Sequence, residues 1–291
     1  MLPKGNFPQK VYLNGEIVSA ENAKISVFDR GFLFGDGIYE VMMQLEQGIF
    51  YKKAHLDRLQ DNLNKIGIAY NVQEIDDHLG TLLDASDLTN ESCLIYMQAT
   101  RGTAPRKHSY PKEIPATVMM YALPYNLPRI NPKQMTAILE PDFRWHRCDI
   151  KSISLLGNVM TNEAAMEADT DEAALVRDGM ITEGSHTNIF FVKNGELITH
   201  PANEHILNGI SRQIVLDLCE KLKIPVLEKA VAEDEIKNMD EAFFTGTTTQ
   251  IASIKQLGDH IFYHDNVGKI TETLQEAFAE LRKTDTANII L

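Results

Sequence analysis

Glu183-Gly184-Ser185-His186-Thr187-Asn188-Ile189-Phe190, then Leu197-Ile198-Thr199, then Leu207-Asn208-Gly209-Ile210-Ser211-Arg212, is the stretch whose reading decides the fold of this chain. It sets a carboxylate in a polar turn, carries short apolar runs on either side of Asn194-Gly195, and closes on Gly-Ile-Ser ahead of an amphipathic run over 211–222. Asn-Gly between apolar runs is a hairpin signal, and the run after it reads as a helix. The amides of Gly209, Ile210 and Ser211 then project from a helix N-terminus, where free N–H groups and the helix dipole attract a phosphate. Taken alone, Ser211 is an ordinary N-cap and Glu183 a solvated turn carboxylate.

Upstream, Asp149-Ile150-Lys151-Ser152-Ile153-Ser154-Leu155-Leu156 sets one lysine among apolar neighbours. Poor solvation there lowers an amine's pKa and makes it nucleophilic. Further out, 135–140 reads as a strand, 155–168 as a helix, and Asp178-Gly179 as a second hairpin turn. The stretch 243–249 reads as a strand running into a turn, and 270–281 as the closing helix. Towards the N-terminus, 10–18 is a hairpin about Asn14-Gly15. Apolar residues at 56, 59, 63 and 66 give 55–66 a helical period, and 93–100 and 116–123 are short apolar strands. Pro124, Pro128 and Pro132 stiffen 124–132 into a linker, which predicts a smaller domain over 1–123 and a larger one over 133–291. Strands and helices mix without strict alternation, so the fold class is α+β.

Bulk composition narrows the function. With 291 residues, 44% of them hydrophobic, the chain can bury a sizeable core. A net charge of −13 argues against nucleic acid, which needs a basic face. Cys93, Cys148 and Cys219 are far apart and odd in number, which suggests a reducing compartment. No signal-like start and no apolar run of about 20 residues point to a cytoplasmic protein without a membrane span. Nine dispersed histidines show no metal-ligand spacing. The glycines around Gly31, Gly35 and Gly37 do not form a dinucleotide fingerprint, and Ser185-His186 lacks a nucleophile elbow.

The signature and the lysine together resemble the fold-type IV pyridoxal phosphate enzymes, the class IV aminotransferases. The match takes in roughly a dozen defined positions with both internal gaps, and the likeness extends along nearly the whole chain. It implies a two-domain fold with pyridoxal 5′-phosphate as cofactor. Lys151 would be the Schiff-base lysine, and Glu183 would face the pyridine nitrogen. The phosphate would be held by Gly209, Ile210 and Ser211, by Gly246 and Thr247 in a second turn, and by Arg58, with Leu207 also on the cofactor. Asn188 is read as structural.

Three further stretches resemble the bacterial D-amino acid transaminases: Asp29 through Val41, Thr100 through His108, and His200 through Leu207. There Tyr39, Arg106 and His108 correspond to a trap for the substrate α-carboxylate, with Val41 and Thr248 also on the substrate side. The loop with Arg106 and His108 is implied to come from the neighbouring subunit, hence a homodimer. Two residues apart in an extended loop, Arg106 and His108 should point the same way, with Lys107 opposite. The chain departs from that pattern at Phe32, Leu33, Lys107 and Gly246. The activity implied moves an amino group from a D-amino acid such as D-alanine to a 2-oxo acid such as 2-oxoglutarate, in a ping-pong scheme. Branched-chain L-amino acid transaminase, (R)-amine transaminase and aminodeoxychorismate lyase share the machinery, and a non-catalytic cofactor-binding protein is a further reading.

Overall fold

Asn14 and Gly15 take positive φ of 50° and 98°, as a two-residue hairpin turn requires, and join β1 (Lys10–Leu13) to β2 (Glu16–Ser19). The same device recurs at Asp178-Gly179 and Asn194-Gly195, with φ of 51° and 76°, and of 52° and 80°. The computed structural model describes residues 4–46, 48–130, 134–262 and 267–284. The chain divides into two compact units, Met1–Leu127 with Ile150–Ser154, and Pro128–Asp149 with Leu155–Thr284. Residues 131 and 132 of the expected linker lie outside the described residues.

After the hairpin, the first unit has α1 (Arg30–Phe34), β3 (Gly37–Leu45), β4 (Gly48–Ile49), α2 (Lys52–Ile66), α3 (Gln73–Ala85), β5 (Cys93–Thr100) and β6 (Thr117–Pro124). Its six strands pair in the order β2-β1-β6-β5-β3-β4, antiparallel throughout. Period-two alternation gives the sheet two faces. Ile38 and Met42 of β3 are buried with Leu56, Leu59 and Leu63 of α2 and Ile75, Leu79 and Leu82 of α3. Tyr39 and Val41 stand on the other face, half-buried. Ile150 joins the same core. Tyr39 N–H donates to the Lys151 carbonyl (3.1 Å) and Ile153 N–H to that of Gly37 (3.1 Å), so 151–153 lies along the start of β3 as an extra edge.

In the second unit follow β7 (Met135–Pro141), α4 (Leu156–Glu167), β8 (Glu172–Arg177), β9 (Met180–Gly184), β10 (Asn188–Lys193), β11 (Glu196–Thr199), α5 (Ile210–Leu222), β12 (Val226–Glu228), β13 (Val231–Ala232), β14 (Glu241–Gly246), β15 (Gln250–Leu257), β16 (His260–Ile261) and α6 (Lys269–Thr284). The strands form one mixed ten-stranded sheet, β12-β11-β10-β14-β15-β7-β8-β9-β13, with β16 on β15. Ile189, Phe191, Ala242, Phe244 and Ile254 form part of its core.

The expected helices and hairpins are present, with ends moved by up to three residues. The expected strand over 243–249 is β14, ending at Gly246. Gly246 pairs with Gln250, so 247–249 is the turn of a hairpin whose return strand, β15, the sequence reading had not singled out. β3 and α3 were likewise not singled out. Gly80 and four acidic residues dilute α3's apolar period of 75, 79, 82 and 83, and the glycines before β3 masked a continuous apolar run.

Candidate active site

Lys151 is held by its backbone. Its N–H donates to Asn62 Oδ1 at 2.8 Å, and Asn62 in turn donates from Nδ2 to the Arg58 carbonyl at 2.7 Å. Asn62 is a buried polar residue on the apolar face of α2, seven residues after His55, a pattern that could have marked it from sequence. The Lys151 side chain is half-buried, and its Nζ lies 4.2 Å from the Tyr39 ring centroid. Tyr39 stacks on Tyr96 (5.8 Å) and Tyr96 on Tyr121 (5.1 Å), an aromatic shelf across β3, β5 and β6. Val41 lies on this face too, opposite Tyr96 in the register.

On the covered face of β3, Glu40 is 1% exposed and accepts from Arg58 Nε and Nη2, each at 2.8 Å. His55 Nδ1 stands 3.1 Å from the same carboxylate. Burial works against ionisation of Glu40, yet Arg58 and His55 together hold its carboxyl well below the usual carboxylate range. Burial also pushes the His55 imidazole down, against the pull of Glu40. Arg58, expected on a phosphate, thus has its fork on Glu40. Glu40 was missed, although it is the only acidic residue in the β3 run.

Arg106 and His108 sit in the exposed loop between β5 and β6, and both side chains meet one ring. Arg106 Cζ lies 5.0 Å from the Phe34 centroid and the His108 ring 5.6 Å from it. They share a side.

In the second unit Glu183 lies near the end of β9, 5% exposed. Oε1 accepts from Arg144 Nη1 at 2.6 Å. Oε2 accepts from Asn188 Nδ2 at 2.9 Å and from the Leu207 amide at 3.0 Å. Burial pushes the Glu183 carboxyl up to about 7, against the Arg144 guanidinium and the Leu207 amide, which pull it down. Arg144, which the sequence reading missed, also pairs with Asp142. Burial works against ionisation of Asp142, and Arg144 and Arg177 pull its carboxyl below the ordinary value. The turn after Glu183 is gathered by the buried Glu172. It accepts from Ser185 N–H (3.1 Å), Ser185 Oγ and Thr187 Oγ1 (2.9 Å).

Asn188 also donates to the Leu207 carbonyl (2.8 Å), and so ties the Glu183 turn to the segment before α5. Gly209 is the N-cap of α5 with φ −64°, so no left-handed backbone demands glycine. Space does: a Cβ would lie 2.3 Å from Asn188 Oδ1. Ile210 and Ser211, both buried, open the helix. Gly246 ends β14, and Thr247 and Thr248 lie in the half-buried turn to β15; a Cβ on Gly246 would lie 3.6 Å from Thr187 Cγ2. Glu183, Leu207 and Asn188 therefore form one bonded group, with Gly209 packed against Asn188 and the Gly246 turn near Thr187. In the first unit Lys151 joins Tyr39, while Arg58 faces Glu40 and Arg106 and His108 face Phe34.

Residues 37–257 match the Amino-transferase class IV family. The chain is 37% identical over 273 residues to a D-alanine aminotransferase of Staphylococcus epidermidis, covering 92% of this chain and 96% of that one. It is 36% identical over 284 residues to the D-alanine aminotransferase of Bacillus licheniformis, covering 97% and 100%. Among solved structures it is similar to a branched-chain aminotransferase from the archaeon Thermoproteus uzoniensis with norvaline, at a TM-score of 0.84, 27% identity and 94% coverage of each chain. With three quarters of its length matched and relatives above 30% identity end to end, the chain belongs to the class IV aminotransferase family and has its fold-type IV, α+β architecture.

Proposed function

We propose that this aminotransferase moves the amino group of a D-amino acid, such as D-alanine, to a 2-oxo acid such as 2-oxoglutarate, with pyridoxal 5′-phosphate as cofactor. One observation carries the cofactor reading: a buried carboxyl, Glu183, held by three donors and poised near neutral pH. That donor set fits a pyridine nitrogen. Gly209 caps α5, and the free amides of a helix N-terminus suit a phosphate too.

When bound, the cofactor supplies an aldehyde and an electron-withdrawing ring that stabilises negative charge at the substrate Cα. Lys151 Nζ would be the amine that holds the aldehyde and the base for the Cα proton. Glu183 would keep a proton on the ring nitrogen, and Arg144 and Asn188 hold Glu183. The amides of Gly209, Ile210 and Ser211 would hold the phosphate, with Gly246, Thr247, Arg58 and Leu207 as further cofactor-binding residues. Tyr39, Arg106 and His108 bind the substrate carboxylate, with Val41 and Thr248 beside it. The donor's 2-oxo acid leaves before the acceptor enters, a ping-pong order.

The donor reading draws on the two D-alanine aminotransferases. A homodimer is supported by α4, whose outward face carries the exposed Leu156, Val159, Met160 and Met166, an apolar patch that a lone chain leaves wet. A cytoplasmic setting is supported by three cysteines that are all buried and free. The test supplies the cofactor, 2-oxoglutarate and one amino donor at a time. Pyruvate should form from D-alanine and not from L-alanine. Turnover of L-leucine in place of D-alanine would favour the branched-chain reading instead, the activity named for the Thermoproteus uzoniensis enzyme.

A further inference from the structure

The loop between β5 and β6 has no regular structure from Ala104 to Ala116, yet it is fixed at several points along 103–110. Thr103 bridges to Asp29, and Arg30 Nη1 donates to the Lys107 carbonyl at 2.6 Å. The Arg101 guanidinium lies 3.6 Å from the Tyr110 ring centroid. Arg30 and Arg101 are themselves locked on one carboxylate, Asp36, at 2.7 and 2.8 Å. Phe34 stands at the centre. Arg30 (4.7 Å), Arg106 (5.0 Å) and the His108 ring (5.6 Å) all face its ring.

An exposed arginine samples many rotamers, and ordering one on binding costs free energy. A ring face that attracts a guanidinium and an imidazole meets that cost before substrate arrives. We propose that Phe34 is a positioning residue: its ring sets the directions of Arg106 and His108 and so the affinity for the substrate carboxylate. This rests on the reading of Arg106 and His108 as the carboxylate-binding pair. Phe34 itself touches no reacting atom. Its neighbour Arg30 holds the loop backbone at Lys107, whereas Phe34 acts on the side chains.

The experiment measures KM and kcat for D-alanine on the holoenzyme of each variant. Phe34→Leu should raise KM roughly fivefold, the worth of an exposed cation–π contact, with kcat and bound-cofactor absorbance unchanged. Phe34→Tyr keeps the ring and should restore the ordinary KM. Phe34→Met takes over from Phe34→Leu if that chain does not fold. Arg106→Ala tests the underlying pair. If Arg106→Ala raises KM while the ring-less variants do not, the positioning role is overturned and the pair stands. If Arg106→Ala leaves KM unchanged, the pair falls and the proposal with it. Added to an Arg106→Ala, His108→Ala background, Phe34→Leu should change KM no further. A further rise there means Phe34 acts elsewhere and overturns the proposal.

Discussion

Lys151 combines a fixed main chain with a side chain whose Nζ lies beside the Tyr39 ring. Asn62 and Tyr39 hold its amide and carbonyl, so the amine can swing between bonded and free states while its Cα stays put. Lys151→Ala should therefore fold and lose transamination by roughly 100-fold or more. Borohydride reduction followed by mass spectrometry should find the reduced cofactor on Lys151 in the parent chain and on no lysine in the variant. Glu183 is different, because its three donors are satisfied only by a carboxyl. Glu183→Gln keeps size but presents an amide to Arg144. Cofactor binding should persist through the phosphate contacts, and kcat should fall roughly 100-fold, the scale for losing one preorganised electrostatic contact. An unchanged kcat would remove Glu183 from the mechanism. Both residues were singled out on the family resemblance. Arg144, which bonds Glu183 from 39 positions away, was not legible, because no local spacing links the two.

At the scale of elements, α5 meets β10 where Gly209 passes Asn188. Gly209→Ala drives a methyl into Asn188 Oδ1, and overpacking of this kind costs about 1–3 kcal/mol. The strain falls on the residue that links Glu183 to the helix start, so the cofactor Kd, read by fluorescence titration, should rise along with the loss in Tm. A Tm loss with an unchanged Kd would separate α5 from the cofactor site. The pair β3–α2 carries a pH signature. Glu40 has a pKa depressed by Arg58 and His55, against about 4.3 in an unfolded chain. A group of this kind adds stability that is complete above the unfolded pKa and drains away as pH falls towards the folded one. Urea unfolding of the parent should thus weaken below about pH 5. Glu40→Gln should be less stable by about 3–5 kcal/mol at neutral pH, since Arg58 loses its bidentate partner, and should show a shallower decline in acid.

For the whole molecule, the α4 patch predicts association. Sedimentation equilibrium should report a dimer, and Val159→Asp with Met160→Glu should shift it towards monomer by placing charge in an apolar contact. A monomer at every concentration would leave the patch without that use. What the sequence determined by itself was many of the local elements and the family. Asn-Gly and Asp-Gly turns, helical periods and the Glu183-to-Arg212 spacing depend on neighbours a few residues apart, and backbone preference and side-chain period act at that range. The tertiary structure alone decided that Ile150–Ser154, which a linear reading leaves in the second segment, packs along β3 of the first. It alone decided that Arg58 meets Glu40, that Arg144 meets Glu183, and that Phe34 faces both Arg106 and His108. These contacts join residues 18 to 74 positions apart, and no local period or turn preference encodes such pairings. For Glu40 and Glu183 burial decides them, because a charged group removed from water must find its partner wherever the fold brings one.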